Sequence, residues 1–254
     1  VTLKQRGFDV VVFDKRDEIG GNLHVAKKPP FKGKFEWAID YYKSMAKKLN
    51  ITMKLGKEVT AQEVLALKPY SILVATGSNV ISIPLEGLDQ VQTVQAHDVL
   101  VNDMQFANKK VVVIGGGITG LETALYINRQ GTNQVSVVDM LPEWPVDMLD
   151  MRYQNEALLE VRHCNDQGVA LFYNNKVVKF ADGKLFIEST KDGEVKELPA
   201  DVIVLSVGVK PNDALWQELL ASGHPSVWKA GDAIATGKIN KAVLHGSKFG
   251  YSLN

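Results

Sequence analysis

A single cysteine is all the thiol chemistry that this chain of 254 residues holds. Cys164 alone cannot close a disulfide within the chain, form a CxxC redox pair or build a four-cysteine metal site. Its isolation fits a reduced compartment, and we expect a cytoplasmic setting. An excess of either charge is also missing, since 29 Lys and Arg face 29 Asp and Glu for a formal net charge of zero. That balance argues against a general nucleic-acid or anionic-membrane binder, whose phosphate contacts need a basic surplus. Polar residues interrupt every apolar run well short of the ~18 residues of a membrane span. Aromatics make up only 8% of the chain, while 45% is hydrophobic and 23% charged. This ordinary globular composition excludes disorder and collagen-like repeats. The opening residues Val1-Thr-Leu-Lys-Gln-Arg-Gly include no methionine and do not resemble a signal peptide. We therefore expect a chain cut from something longer.

What is present is a regular alternation. Short β-branched runs occur at Asp9 to Asp14, Ser71 to Gly77, Lys110 to Gly115, Gln134 to Asp139 and Asp201 to Gly208. Runs of this kind need cover on both faces and are expected in the middle of parallel sheets. Between them, Phe35, Ile39, Tyr42, Ala46 and Leu49 recur at helical spacing, and Gly120 to Gln130 reads as a second helix closed by Gly131. From Ala170 to Leu198 the texture changes. Strands at about 176–181 and 184–189 flank Asp182-Gly183, a pair suited to the positive φ angles of a tight hairpin. A second turn follows at Lys191-Asp192-Gly193. The pattern is an antiparallel meander set in a parallel α/β framework.

The chain also echoes itself. Gln5-Arg6-Gly7 and a strand ending at Asp14 resemble Arg129-Gln130-Gly131 and a strand ending at Asp139. Val74-Ala75-Thr76-Gly77 likewise resembles Leu205-Ser206-Val207-Gly208. The fold class read from this is α/β, with two Rossmann-like dinucleotide-binding domains in tandem, each a parallel sheet, plus a β-meander.

The strongest chemical motif is Gly115, Gly117 and Gly120, a GxGxxG placed directly after one strand and before one helix. The first glycine permits a tight turn, the second lets backbone approach a pyrophosphate, and the third lets helix and strand pack closely. Ile118 and Thr119, at the start of the helix, bring N–H groups and a positive dipole to the anion. An acid, Asp139, follows 19 residues after Gly120 at the end of the next strand. There a carboxylate accepts hydrogen bonds from ribose hydroxyls and repels a 2′-phosphate, which favours NADH over NADPH. The front half has the matching acid, Asp14, and no glycine turn. The same spacing places its missing glycine at about position −5, upstream of Val1. Gly231-Asp232, between a strand and a helix, can set a carboxylate beside a polyol or phosphate, although a turn with an N-cap is the commoner meaning of this pair.

Taken together, Gly20-Gly21 after Asp14, Ala75-Thr76-Gly77, GxGxxG at 115–120, Val207-Gly208-Val209-Lys210-Pro211-Asn212 and Gly231-Asp232 stand in a telling order. The chain resembles the two-dinucleotide-binding-domain flavoprotein reductases over essentially its whole length. Within them, V-F-D-K-R-D-E-I-G-G-N-L and K-A-G-D-A-I-A-T-G-K-I look most like the C-terminal part of the 2,4-dienoyl-CoA reductase, trimethylamine dehydrogenase and enoate reductase group. The resemblance implies an FAD-binding domain at 1–105 and 226–254, lacking its first strand and GxGxxG. An NAD(P)H-binding domain at 106–225 would be inserted in it. It further implies that Asp14 holds the adenosine ribose of FAD while Gly20 and Gly21 let backbone pass close to it. Val59 would meet adenine through its main chain, and Thr76 and Gly77 would line the cofactor. Asp232, with Gly231, would meet the ribityl or pyrophosphate region, and Gly208 joins the cofactor-contacting set.

The implied activity is that of an NADH oxidase-like module, passing hydride from NADH to FAD. Electrons would then leave for a centre in an N-terminal barrel of the same parent chain, which in the family carries FMN and an iron–sulfur cluster. The cofactors carry such chemistry, so no catalytic acid or base is named. Two other readings stand beside it. One is a non-catalytic module that holds a bare adenine nucleotide, ADP, as in a trimethylamine dehydrogenase-like enzyme. The other is an independent NAD-dependent dehydrogenase, for which no acid or base stands out. The partners implied are nucleotide cofactors and the barrel; nucleic acid and membrane are not, and a homo-oligomer fits.

Other residues invite blander readings. Cys164, near a helix end, is expected to be a partly buried structural thiol. His24, His97, His163, His224 and His245 show no metal-ligand spacing and are expected to be surface or satisfied residues. Lys27, Lys28, Lys32 and Lys34 around Pro29-Pro30-Phe31 are expected to form a solvated basic loop. Trp144 could equally cover a nicotinamide or cap an apolar patch.

Overall fold

The computed structural model describes residues 1–142 and 151–254, with 151–154 described by backbone alone. The expectation for Trp144 lies outside the described residues. These residues form two compact units: a front unit of 1–27, 34–79 and 209–254, and a rear unit of 28–33 and 80–208.

The chain runs first through the front unit as α1 (Thr2–Gln5), β1 (Val11–Phe13), α2 (Leu23–Ala26), α3 (Phe35–Lys48), β2 (Thr52–Lys54), α4 (Ala61–Ala66), β3 (Ile72–Val74) and β4 (Ser78–Val80). It then builds the rear unit as β5 (Gln92–Gln95), α5 (Ala96–Val101), β6 (Lys110–Ile114), α6 (Ile118–Asn128), β7 (Gln134–Val138), α7 (Met151–Asp166), β8 (Ala170–Phe172), β9 (Asn175–Ala181), β10 (Lys184–Ser189), β11 (Val195–Pro199) and β12 (Val202–Leu205). It returns to the front as β13 (Val209–Pro211), α8 (Ala214–Ala221), β14 (Val227–Lys229) and α9 (Ile239–Ser252).

The rear unit has three layers, and residue alternation creates them. Its sheet runs β5-β12-β6-β7-β8, every pair parallel. Val111, Val113, Val135, Val137, Val202 and Val204 face one way and pack with Leu121 and Leu125 of α6 and Val161 of α7. Their neighbours Val112, Ile114, Val138, Ile203 and Leu205 face the other way, onto Phe180, Leu185 and Ile187 of the meander β11-β10-β9. Burial on both faces is why these runs are continuously apolar, at about 1.5–3 kcal/mol for each fully buried side chain. Asp182 and Gly183 take φ of 51° and 72°, as the β9–β10 hairpin requires.

In the front unit, β1 pairs in parallel with β2, β3 with β14, and β4 with β13. The run at Asp9 to Asp14 is therefore not mid-sheet among the described residues. Strand β1 has one partner there, and Val11 remains 43% exposed. Helix α4 begins with a capping box, in which Thr60 accepts from the Glu63 amide and Glu63 accepts from that of Thr60.

The two units meet along the sequence at other points than the expected 105/106 and 225/226. Residues 80–105 join the rear unit because β5 pairs with β12 and because Ala96, Val99 and Leu100 of α5 are buried. Residues 209–225 join the front, where β13 pairs with β4 and Leu219 of α8 packs on Ile72 and Val74. Gln92–Gln95 is polar at three of its four residues and lies at a sheet edge, so it lacks the apolar signature by which the other strands were read. Among the described residues no helix is long and apolar enough to cross a membrane.

Candidate functional site

The rear unit places its glycine turn at a topological switch point. From β6 the chain moves outward to β7, and β12 later returns on the opposite side of β6. The carboxyl end of β6, where the order reverses, is where open α/β sheets leave a crevice for ligands. Residues 115–120 occupy that end and lead into α6.

Each glycine there answers to a separate constraint. Gly115 has φ of 111°, and a Cβ on it would stand 2.3 Å from the Ser206 carbonyl oxygen. A Cβ on Gly120 would stand 1.9 Å from the carbonyl oxygen of Gly115. These two glycines close the turn and seat the helix. Gly117 differs, because a Cβ there would meet nothing within 4 Å. It is the N-cap of α6 and makes no side-chain cap hydrogen bond. Ile118 and Thr119 open a helix of 11 residues whose positive end thus has no capping side chain. An open cradle with free space above glycine suits the phosphates of a dinucleotide.

Asp139, directly after β7, is pinned from two sides. Its Oδ2 accepts the Gly116 amide at 2.5 Å, and its Oδ1 accepts the Leu141 amide at 2.8 Å. A Cβ on Gly116 would meet Tyr173 and Asp139 at 3.0 and 3.1 Å. The carboxylate is thereby a strut for the glycine turn as well as an acceptor with unused lone pairs. The reading from sequence passed over Gly116, Tyr173 and Ser206. Only the extra glycine in Gly115-Gly116-Gly117 hinted at this tight packing. Gly208, with φ of 99°, follows β12, and its carbonyl accepts the Ile81 amide at 3.0 Å.

The front unit gathers its candidates in two groups. Asp14 follows β1 and accepts the Arg16 amide at 3.0 Å, while the Arg16 guanidinium donates to the Gly21 carbonyl at 2.6 Å. Gly20 and Gly21 take φ of 128° and 50°. A Cβ on Gly20 would strike the buried His24 ring at 2.7 Å, and that ring bonds the Ile19 carbonyl at 2.9 Å. His24 is thus satisfied, as expected. Val59 is half-buried just before the Thr60 cap. The second group lies at the ends of β3 and β14. Thr76 donates to the Asn212 carbonyl at 2.5 Å, and Gly77 has φ of 74°. Gly231, with φ of 61°, donates its amide to His245 Nδ1 at 3.2 Å. Asp232 accepts the Gly237 amide at 3.1 Å. Among the described residues, no group of three His, Cys, Asp or Glu is arranged to hold a metal ion.

Cys164 is fully buried, deeper than expected, and its thiol lies 3.8 Å from the Leu121 carbonyl. Burial, reinforced by the charge of Glu160, pushes the thiol up to about 12. It is a core residue and not a nucleophile.

Comparison with known proteins agrees with this architecture. The chain is 29% identical to an NADH oxidase of Thermoanaerobacter brockii over 261 residues, covering 100% of this chain and 38% of the oxidase. It is 33% identical to a bilirubin reductase of Mediterraneibacter gnavus over 207 residues, or 82% of this chain and 31% of the reductase. Among solved structures, a 2-naphthoyl-CoA reductase in complex with 2-naphthoyl-CoA superposes with a TM-score of 0.88 at 27% identity, covering 99% of this chain and 37% of that one. The thioredoxin reductase of T. acidophilum, 17% identical, shares the fold with a TM-score of 0.71, covering 99% of this chain and 91% of that one. The chain thus spans 38% and 31% of the two curated relatives. Residues 2–245 match the family described as pyridine nucleotide-disulphide oxidoreductase, nearly the whole chain, and the chain belongs to this family.

Proposed function

We propose that this chain is the pyridine-nucleotide and flavin module of a larger NADH-dependent oxidoreductase. The observation that carries the reading is the open cradle at Gly117, with an uncapped α6 behind it and Asp139 beside it. In this reading residues 115–120 hold the pyrophosphate of NADH, and Asp139 accepts from its adenosine ribose. Asp14, Gly20, Gly21, Val59, Thr76, Gly77, Gly231 and Asp232 serve FAD, and Gly208 is a cofactor contact of the rear unit. The flavin, when bound, supplies the hydride-accepting chemistry. The chain's own residues bind and orient the two cofactors, and none acts as acid or base. The family's name refers to disulphide chemistry, for which the one buried cysteine of this chain provides no thiol pair.

Several finer points belong to the same proposal. The front unit has the acid and the paired glycines of a flavin site but no glycine turn, and among the described residues β1 keeps an open edge. In a longer protein, of which this chain would form about two-fifths or less, the turn and a strand beside β1 would precede Val1. The likeness to an NADH oxidase and a 2-naphthoyl-CoA reductase supports the 2,4-dienoyl-CoA reductase, trimethylamine dehydrogenase and enoate reductase group. Electrons would then pass to an FMN and iron–sulfur centre on a barrel preceding this chain, in the cytoplasm, with homo-oligomers compatible.

The test is spectroscopic. Protein supplied with FAD is expected to bind it and to lose the flavin's visible absorbance when NADH is added under anaerobic conditions. Tight binding of ADP, with no flavin taken up by this chain or by the longer protein, would overturn the redox reading and favour a structural nucleotide site.

A further inference from the structure

Of the four lysines around Pro29-Pro30-Phe31, Lys28 and Lys32 are not the solvated groups that their spacing suggests. Residues 28–33 belong to the rear unit, although their neighbours on both sides belong to the front. Lys32 Nζ lies 2.6 Å from Glu156, 3.0 Å from Glu122 and 3.9 Å from Glu160. Lys28 bonds Asp103. Phe31, in a left-handed conformation with φ of 68°, places its ring 4.5 Å from the Arg129 guanidinium and 5.1 Å from the His163 ring. The segment is a strap fastened across α6 and α7.

Its anchor is electrostatic. Glu122 faces Lys32 from the strap and feels Glu156 and Glu160 from α7, while His163 lies 3.7 Å from Glu160. Burial pushes Glu122 up, against the pull of Lys32. Glu160 is pushed up for the same reason, against Lys32 and His163. Burial pulls Lys32 down, yet its bonds to Glu156 and Glu122 prevail and hold it up at about 12. Glu122 also sits in the second turn of the helix that starts at the glycine cradle. A carboxylate so placed repels an anion held at the start of α6.

We propose that Lys32 is a positioning residue for the nucleotide site: by neutralising Glu122, it preserves the anion affinity of the cradle at Gly115–Gly120. This rests on the reading that a pyridine dinucleotide lies there, and it adds a residue that reaches that site only through Glu122. One uncompensated charge on the order of 10 Å away, in an effective dielectric of about 20 and partly screened by salt, weakens binding of a phosphate anion about fivefold.

The experiment is an NADH titration of the whole chain by tryptophan fluorescence, for the wild type, Lys32→Met, and Lys32→Met with Glu122→Gln. At a pH of about 8, Lys32→Met is expected to bind about fivefold more weakly, and the double variant to recover. Without its partner the Glu122 carboxyl is raised further. Its charge is present above that raised value and absent below it, so the loss should shrink at a second, lower pH nearer that value. A lysine needed only for packing would leave the double variant as weak as the single one, at both pH values. Such a result, or unchanged binding in Lys32→Met, overturns the proposal. Carbon-13 NMR titration of Glu122 gives a readout without nucleotide. The carboxyl is expected to titrate higher in Lys32→Met, and an unmoved titration overturns the role of Lys32 even if no NADH binds. A wild-type chain that binds no NADH overturns the cradle reading instead. Should Lys32→Met fail to fold, Lys32→Gln carries the same comparisons.

Discussion

Replacing Asp139 by alanine separates two jobs that the structure gives to one carboxylate. The first is mechanical. Two backbone amides, from Gly116 and Leu141, point at its oxygens at 2.5 and 2.8 Å, and hydrogen bonds to an ionised acceptor contribute about 1.5–3 kcal/mol each. Their loss loosens the glycine turn and weakens any dinucleotide, with or without a 2′-phosphate. The second is recognition. A carboxylate accepting from a ribose hydroxyl contributes a further ~1.5–3 kcal/mol for NADH alone, which is about 10- to 100-fold in affinity. For NADPH the same carboxylate meets a phosphate, so its removal relieves repulsion and offsets the mechanical loss. The expected outcome is that Asp139→Ala weakens NADH at least tenfold more than it weakens NADPH. Titrations of both nucleotides against the wild type and variant, with thermal melts to confirm folding, read this directly. Equal losses for the two nucleotides would refute the ribose contact and leave Asp139 as a strut only.

Other perturbations test separate parts of the structure. Gly117→Ala should melt like the wild type, because its Cβ meets nothing within 4 Å, yet bind NADH at least several-fold more weakly by calorimetry. Gly120→Ala should instead lower the melting temperature sharply, because its Cβ would stand 1.9 Å from a carbonyl oxygen. Cys164 should resist a thiol reagent at neutral pH in the folded protein and react fully in denaturant, since burial pushes its thiol up to about 12. Glu63, bonded by Lys57 and by the Thr60 amide, is held down at about 2, so it supports α4 above its ordinary value near 4.5. That support is lost as pH falls toward 2, and the melting temperatures of wild type and Glu63→Gln should converge over this window.

The parts that were legible in sequence were those whose cause is local. The turn at Asp182-Gly183 needs two positive φ angles in succession, and those two residue types announce it. Strands β6, β7 and β12 are covered on both faces, so their composition had little freedom. The glycines at 115, 117 and 120 were readable because strand, turn and helix follow one another there without interruption, and the glycine spacing is set by that local succession. The parts that were not legible depend on partners far away in the chain. Nothing near Lys32 names Glu122 or Glu156, so its lysine-rich surroundings suggested solvent. Gln92–Gln95 joins its sheet at an edge, where polar residues are tolerated, and that concealed where the rear unit begins. In the front unit Asp14 looked like the end of a central strand because its local pattern matches that of Asp139, while among the described residues β1 shows only one neighbour.

The doubled-back path of the chain sets an order of assembly. The front unit holds residues 1–79 and 209–254, and strands β3 and β4 wait for β14 and β13 from its last portion. On the ribosome, the rear unit is complete once residue 208 has emerged, while the front one still lacks two of the three strand pairs described for it. The amide of Ile81 and the carbonyl of Gly208 are only 3.0 Å apart, so the 80–208 segment of the rear unit begins and finishes at one spot. An insert closed in this way can mature during synthesis without straining the scaffold that hosts it, and its stability can be tuned by evolution independently of that host.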